Sequence, residues 1–182
     1  MQHAVSAPIL FTQLADQTMM KYQERQSGVL LRQLRYSASE QEAIETDAAL
    51  RRLWRQSGSA TVDYLMQGVD KALAEKNEAA ALDLLDAVIV LKPDYGMAWV
   101  ARAKIHIRRN DLKFAMMDLY QAIRYDLRRY DAWALLGDIM SITGRDLLAM
   151  KAYRTVLDAY PRFRPAQKIV GAFLEKEAGV VS

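Results

Sequence analysis

Residues 130–163 read YDAWALLGDIMSITGRDLLAMKAYRTVLDAYPRF, and the fold is decided there. Trp133, Leu136 and Met140 recur at helical spacing, as do Ala149, Tyr153, Val156 and Leu157, and Gly144-Arg145 parts the two stripes. The same pattern lies upstream at an offset of 34 residues. Ala81, Ala115 and Ala149 are in phase, as are Leu85, Leu119 and Tyr153, then Val88, Ala122 and Val156, then Ile89, Ile123 and Leu157. Trp99 and Trp133 lie one period apart, and Pro93 and Pro161 two, with Leu127 in the slot between them.

Each recurrent position has a physical reason. A unit of two antiparallel helices cannot bury its apolar faces alone, so neighbouring units stack into a continuous core. Alanine at 81, 115 and 149 lets the second helix approach the first closely, and Leu85, Val88 and Ile89 form that helix's buried stripe. Lys76-Asn77, Asn110-Asp111 and Gly144-Arg145 are the turns inside the units, and Pro93 and Pro161 close them.

The unit resembles the tetratricopeptide repeat, whose pattern is W-x2-L-G-x2-Y, then A-x3-F, then P. Residues 130–163 carry Trp133, Leu136, Gly137, Ala149, Tyr153 and Pro161, with Met140 in the Tyr slot. Residues 96–129 keep Trp99, Ala115, Leu119 and Ala122 but place Arg102, Ala103 and His106 in the L-G-Y slots. Residues 62–95 keep Ala81, Leu85 and Pro93, with Leu65 for the Trp. The resemblance implies an all-α, right-handed α-solenoid of three helix pairs (62–95, 96–129 and 130–163) spanning 61–163. An N-terminal helical extension, 1–60, precedes it, and 164–182, with Gly171 in the Gly slot, reads as a C-terminal capping helix.

In the extension, Ser39-x-x-Glu42 is a capping box opening a helix through Ala43, Ile44, Leu50, Leu53 and Trp54, expected to stop near Ser57-Gly58-Ser59 with Gly58 as its cap. Thr61 is expected to cap the first repeat helix, with Asp63 in its first turn. Ahead lie two amphipathic segments, Ile9 to Tyr22 and Val29 to Tyr36, parted at Gln26-Ser27-Gly28. Residues 1–27 carry Ile9, Leu10, Phe11, Leu14, Met19, Met20 and Tyr22, too apolar to be left in water without reason. They are expected to fill the chain's own groove, to dock on a second copy or a partner, or to pack on the helix at 40–56. From about Val29 to Met66 the chain is also similar to small alphaproteobacterial repeat proteins of unassigned function. That resemblance implies export for some members and tilts the expected location toward the cell envelope. Ala7-Pro8-Ile9-Leu10-Phe11 is itself too short for a secretory core and has no preceding Lys or Arg.

Composition removes other classes. With 52% hydrophobic and 26% charged residues the chain is globular, and no apolar run approaches the roughly 20 residues of a membrane span. Cysteine is absent, so no disulfide, zinc knuckle or thiol nucleophile is available. The eight glycines form no nucleotide loop, and His3 and His106 are the only histidines, which leaves a metal site or a catalytic triad little to work with. His106 reads as a packing residue with one nitrogen hydrogen-bonded. No enzyme activity, metal or cofactor is expected.

The resemblance places recognition on the concave face, lined by the first helix of each unit. Its second, fifth, ninth and twelfth positions are Asp63, Met66, Asp70 and Leu73, then Met97, Val100, Lys104 and Ile107, then Asp131, Ala134, Asp138 and Ser141. The partner is expected to be an apolar or mixed-charge segment of another protein. A C-terminal EEVD-type carboxylate is excluded, because the positions of the family's basic clamp hold Met66, Asp70, Ala101, Asp131 and Leu135, none of them basic. Unit one has 3 basic and 7 acidic residues and unit two 8 and 3, so an RNA or acidic partner on the second unit is an alternative, with Tyr120, Tyr125 and Tyr130 for stacking. Attraction between adjacent units explains the same asymmetry, and the chain's overall charge of +3 is too mild to demand nucleic acid. A permanent accessory subunit of a bacterial complex is the third reading.

Overall fold

The computed structural model describes residues 7–180, and among them the chain forms nine helices and no strand. They are α1 (Ala7–Arg35), α2 (Glu40–Arg55), α3 (Ala60–Ala74), α4 (Glu78–Leu91), α5 (Gly96–Arg108), α6 (Leu112–Tyr125), α7 (Tyr130–Ile142), α8 (Asp146–Ala159) and α9 (Arg164–Val180). They pair as α1–α2, α3–α4, α5–α6 and α7–α8, with α9 against α8, so the chain is an all-α solenoid of paired helices.

The turn within each repeat is one device used three times. Lys76, Asn110 and Gly144 have φ of 58°, 61° and 71°, the left-handed conformation that ends a helix. Paired bonds close each turn: Asn77 N–H donates to Ala72 O and Lys76 N–H to Leu73 O, and the Asp111/Asn110 and Arg145/Gly144 amides repeat the pattern one and two periods on. Ala81 and Ala115 are fully buried and Ala149 2% exposed, at the close approach the repeat requires. Gly137 makes the tightest such contact, since a Cβ there would lie 3.0 Å from the Tyr153 ring.

The repeat tryptophans have a hydrogen-bonding purpose as well as a packing one. Trp99 Nε1–H donates to Pro93 O (2.7 Å) and Trp133 Nε1–H to Leu127 O (3.0 Å), tying each first helix to the preceding inter-unit turn. In α9 the same slot holds Gln167, whose Nε2–H donates to Pro161 O (2.7 Å). α9 therefore keeps the register of a first helix.

The N-terminal extension departs from expectation in three places. Gly28 does not break the chain: α1 runs unbroken from Ala7 to Arg35, because Leu31 and Leu34 are buried, and that burial outweighs about 1 kcal/mol of glycine's helix penalty. Ser59, not Thr61, caps α3, its Oγ accepting from Val62 N–H (3.4 Å). Gln56 caps α2, and Gly58, at φ 77°, turns the chain two residues later. The capping box is present, with Ser39 Oγ accepting from Glu42 N–H, while Glu42 reaches back one residue further to Ala38 N–H (2.8 Å). His3 lies outside the described residues. So do the side chains of Ile9, Leu10, Phe11 and Leu14, on which the expected docking of residues 1–27 rests.

Two substitutions test this register. Ala115→Trp forces a ring between α5 and α6 and should destabilise by about 1–3 kcal/mol or more, read as a lower melting temperature. Lys76→Gly relieves a left-handed residue that costs an L-amino acid roughly 1–2 kcal/mol, partly offset by glycine's backbone entropy, and should raise stability by up to about 1 kcal/mol in urea denaturation.

Candidate functional site

The face expected to take a partner already carries a helix of the same chain. α2 packs on α5, and Leu50 (fully buried) and Trp54 share one core with Val100, Ala103, Tyr130 and Leu136 from α5 and α7. Trp54 is held from two sides, with the Arg129 guanidinium 4.3 Å from its ring and the Tyr130 ring 5.6 Å away. Arg51 lies over the other aromatic of that pair, 5.7 Å from the Tyr130 ring. At its C-terminal end α2 is fixed by an Arg55–Asp70 ion pair and by Tyr95 Oη–H donating to Arg55 O (2.7 Å). At its N-terminal end Arg164 pairs with Glu40, and Arg162 donates to the carbonyls of Ser37 (3.1 Å) and Ala38 (2.8 Å). α2 thus runs along the first helices from unit one to the cap.

Behind Trp54 lies a buried ion pair. Arg129 (3% exposed) donates through Nε and Nη2 to both oxygens of Asp131 (8% exposed), at 2.9 and 2.7 Å. Burial pushes the Asp131 carboxyl up, but the Arg129 charge and hydrogen bonds, with Arg51 and the Ala132 N–H, outweigh it and hold the group below its ordinary value. Burial raises Asp47 on α2, against the pull of Arg51 and with a further push from Asp131. Burial also lowers Lys104, only partly opposed by Asp131, and Arg51 lowers it further. These couplings place the α2 charges beside the groove positions of units two and three.

Of the twelve expected groove residues, Val100 and Asp131 are interior and line no groove in this arrangement. Asp70 is exposed but paired with Arg55, and Asp138 accepts from Tyr153 Oη–H (2.6 Å). Asp63 accepts from Ser57 N–H (3.0 Å). The carboxylates expected to be free for a partner are each engaged within the chain. Lys104 and Ser141 are exposed, and Met66, Leu73, Met97, Ile107 and Ala134 are half-buried. Trp54 and Arg129, which organise the site, were not singled out for it, and only the odd placement of a tryptophan outside the repeat hints at them.

The basic block of unit two is largely tied down. Arg102 donates to both oxygens of Asp118 (2.6 and 2.9 Å) and to Asp86 of unit one (2.5 Å), and Arg108 reaches Glu78 of unit one at 2.7 Å. Attraction between adjacent units accounts for those charges. His106 sits 3.8 Å from Asp118 and 3.9 Å from Asp111, against Phe114, and its buried Nδ1 has no hydrogen-bond partner. Among the described residues no group of three or more His, Asp or Glu could hold a metal ion, and no helix is long and apolar enough to cross a membrane.

Stacked helix pairs with a first-helix face make a helical-repeat module, an architecture suited to protein–protein interaction. No protein-family model matches the chain. A TPR repeat-containing protein of Rhizobium etli is 38% identical over 150 residues, covering 82% of this chain and 74% of the relative. The chain belongs to the tetratricopeptide-repeat proteins. Solved structures share the fold at low identity. The first TPR of Spaghetti (RPAP3), bound to the HSP90 peptide SRMEEVD, has a TM-score of 0.59 and 18% identity over 64% of this chain and 95% of its own. The Sgt2 TPR domain of Aspergillus fumigatus gives 0.58 and 19% over 67% and 82%, and MamA 0.59 and 19% over 73% and 77%.

Removing one partner of the buried pair should be costly. Asp131→Asn leaves the Arg129 charge uncompensated and should destabilise by about 3–5 kcal/mol, whereas the double replacement Arg129→Met/Asp131→Leu should cost much less. The pH dependence follows from the sign. Asp131 is held below its unfolded value of 3.8, so its contribution is complete above that pH and is lost as pH falls through the folded value. Urea midpoints across the acid range should show this loss in the parent and not in the double variant.

Proposed function

We propose that the protein is a non-enzymatic scaffold that holds a segment of a partner protein on the part of the first-helix face that α2 leaves open. The observation that carries this reading is α2 itself. The face takes an amphipathic helix, burying Leu50 and Trp54 and answering Arg55 with Asp70. Leu73, Ile107 and Ala134, flanked by Lys104 and Ser141, offer a partner the same mixture of apolar and polar groups in the remainder.

The partner differs in kind from the acidic-tailed peptide seen on the RPAP3 domain. Met66, Asp70, Ala101, Asp131 and Leu135 stand where a carboxylate clamp needs basic groups, and Asp131 is buried in its own ion pair. RNA binding through unit two finds little support, because Arg102, Arg108, Arg128 and Arg129 all have carboxylate partners. A location in the cell envelope belongs to the same proposal, and fractionation of the native organism tests it.

A photo-crosslinking residue placed at Lys104 or Ser141 should capture a partner protein in cells, while one at Lys113 on the second-helix side should not. Lys104→Glu with Ser141→Arg, made without the crosslinker, should abolish binding of the partner so captured, with circular dichroism checking that the fold is kept. The SRMEEVD peptide should show no saturable binding. Capture from Lys113 alone, or binding that survives the double substitution, would move the site off this face.

A further inference from the structure

The arginines of the repeats are mostly held by carboxylates, but those of α1 are not. Lys21, Arg25, Arg32 and Arg35 follow one another at i, i+4, i+11 and i+14, which places all four on one face of α1 with Gly28 at its centre. All four are exposed. None has a carboxylate within ion-pair distance among the described residues, in contrast to Arg51, Arg55, Arg102, Arg108 and Arg129.

The stripe borders two clefts that meet at Gly28, Arg32 and Arg128. One, of about 400 Å³, has an apolar floor of Leu31, Leu127 and Ala159, with Arg32, Arg35 and Arg128 at its rim. The other, of about 620 Å³, is open and lies between Arg25, Val29 and Arg128. Residue 28 has no side chain where the clefts meet, and the Arg128 guanidinium lies 3.7 Å from where a Cβ would stand. Exposed apolar groups line them, with Leu127 70% and Val29 39% exposed. The acidic groups at the rims are Glu24, Asp158 and Asp126, and Asp126 is already paired with Arg128 at 2.9 Å. The face is therefore cationic around an apolar seat.

We propose that this face of α1 is a second docking surface, separate from the first-helix face, for an acidic segment of a partner protein with a large apolar residue seated between Leu31 and Leu127. Charge complementarity selects the acidic residues, which would meet unpaired Arg25, Arg32 and Arg35, and the apolar cleft selects the anchor. A phosphate backbone would use the charges and leave the seat empty. An anionic membrane needs a flat basic face, and here the seat is recessed between α1 and the α6–α7 turn.

Selection from a random peptide library against the immobilised full-length chain tests this directly. Recovered peptides should be rich in Asp and Glu around one or two Leu, Ile, Phe or Trp residues. Synthesised and followed by fluorescence anisotropy, they should bind R25E/R32E/R35E about tenfold or more weakly, weaken with added salt, and bind Leu127→Ser several-fold more weakly. Lys104→Glu/Ser141→Arg should leave their affinity unchanged, which separates this surface from the proposed groove. Circular dichroism checks the fold of the reversal variant, and Arg→Gln at the same three positions gives the same reading if the reversal perturbs it. Recovery of peptides without acidic residues, or equal binding to the triple variant, would overturn the proposal. Short single-stranded RNA or phosphatidylserine vesicles binding more tightly than any peptide, with the same dependence on the three arginines, would overturn the partner class. So would concentration-dependent self-association that the triple variant abolishes.

Discussion

Trp54, clasped between the Arg129 guanidinium and the Tyr130 ring, is the contact on which the rest of the molecule depends. Arg129 can serve there because Asp131 neutralises it through two hydrogen bonds away from water. A buried charge without that partner would be expelled or would disrupt the junction of units two and three. The pair therefore fixes a cation beside an indole, and the indole fixes α2 along the first helices. With α2 in place, α1 follows, packing on α2 and reaching α8. The cationic face of α1 stands where it does as a consequence.

The repeats were legible in the sequence because their physics is local and periodic. Ala81, Ala115 and Ala149 mark a close approach, and residues 76, 110 and 144 share one left-handed turn although they are Lys, Asn and Gly. The 34-residue spacing exposes the equivalence that residue type alone hides at Lys76. The same phase reaches α9, where Gln167 does with an amide what Trp99 and Trp133 do with an indole.

What the sequence concealed is non-local. Gly28 reads as a stop in a local window, and burial of Leu31 and Leu34 against the rest of the core keeps α1 continuous. Asp70 and Asp138 look equivalent at matching positions, yet one meets Arg55 from α2 and the other Tyr153 from its own unit. Asp131 reads as a first-turn carboxylate and becomes an interior one because its neighbour Arg129 needs it beneath Trp54. For Asp70 and Asp131 the missing ingredient is a helix from outside the periodic region, to which a repeat pattern is blind. The charge asymmetry between units one and two was visible, and Arg102–Asp86 and Arg108–Glu78 join part of it across the seam between the units.

The account's central claim is that α2 is an integral part of the solenoid core, so that a partner meets only the remainder of the first-helix face. Native-state hydrogen exchange tests this most directly. If α2 shares the core, the amides of residues 44–54 should exchange only through the opening that also releases α5 and α7, with the same free energy and the same urea dependence. Exchange of residues 44–54 through a separate, low-energy opening while α5 and α7 stay protected would contradict it, and would make α2 a detachable occupant of an otherwise complete groove.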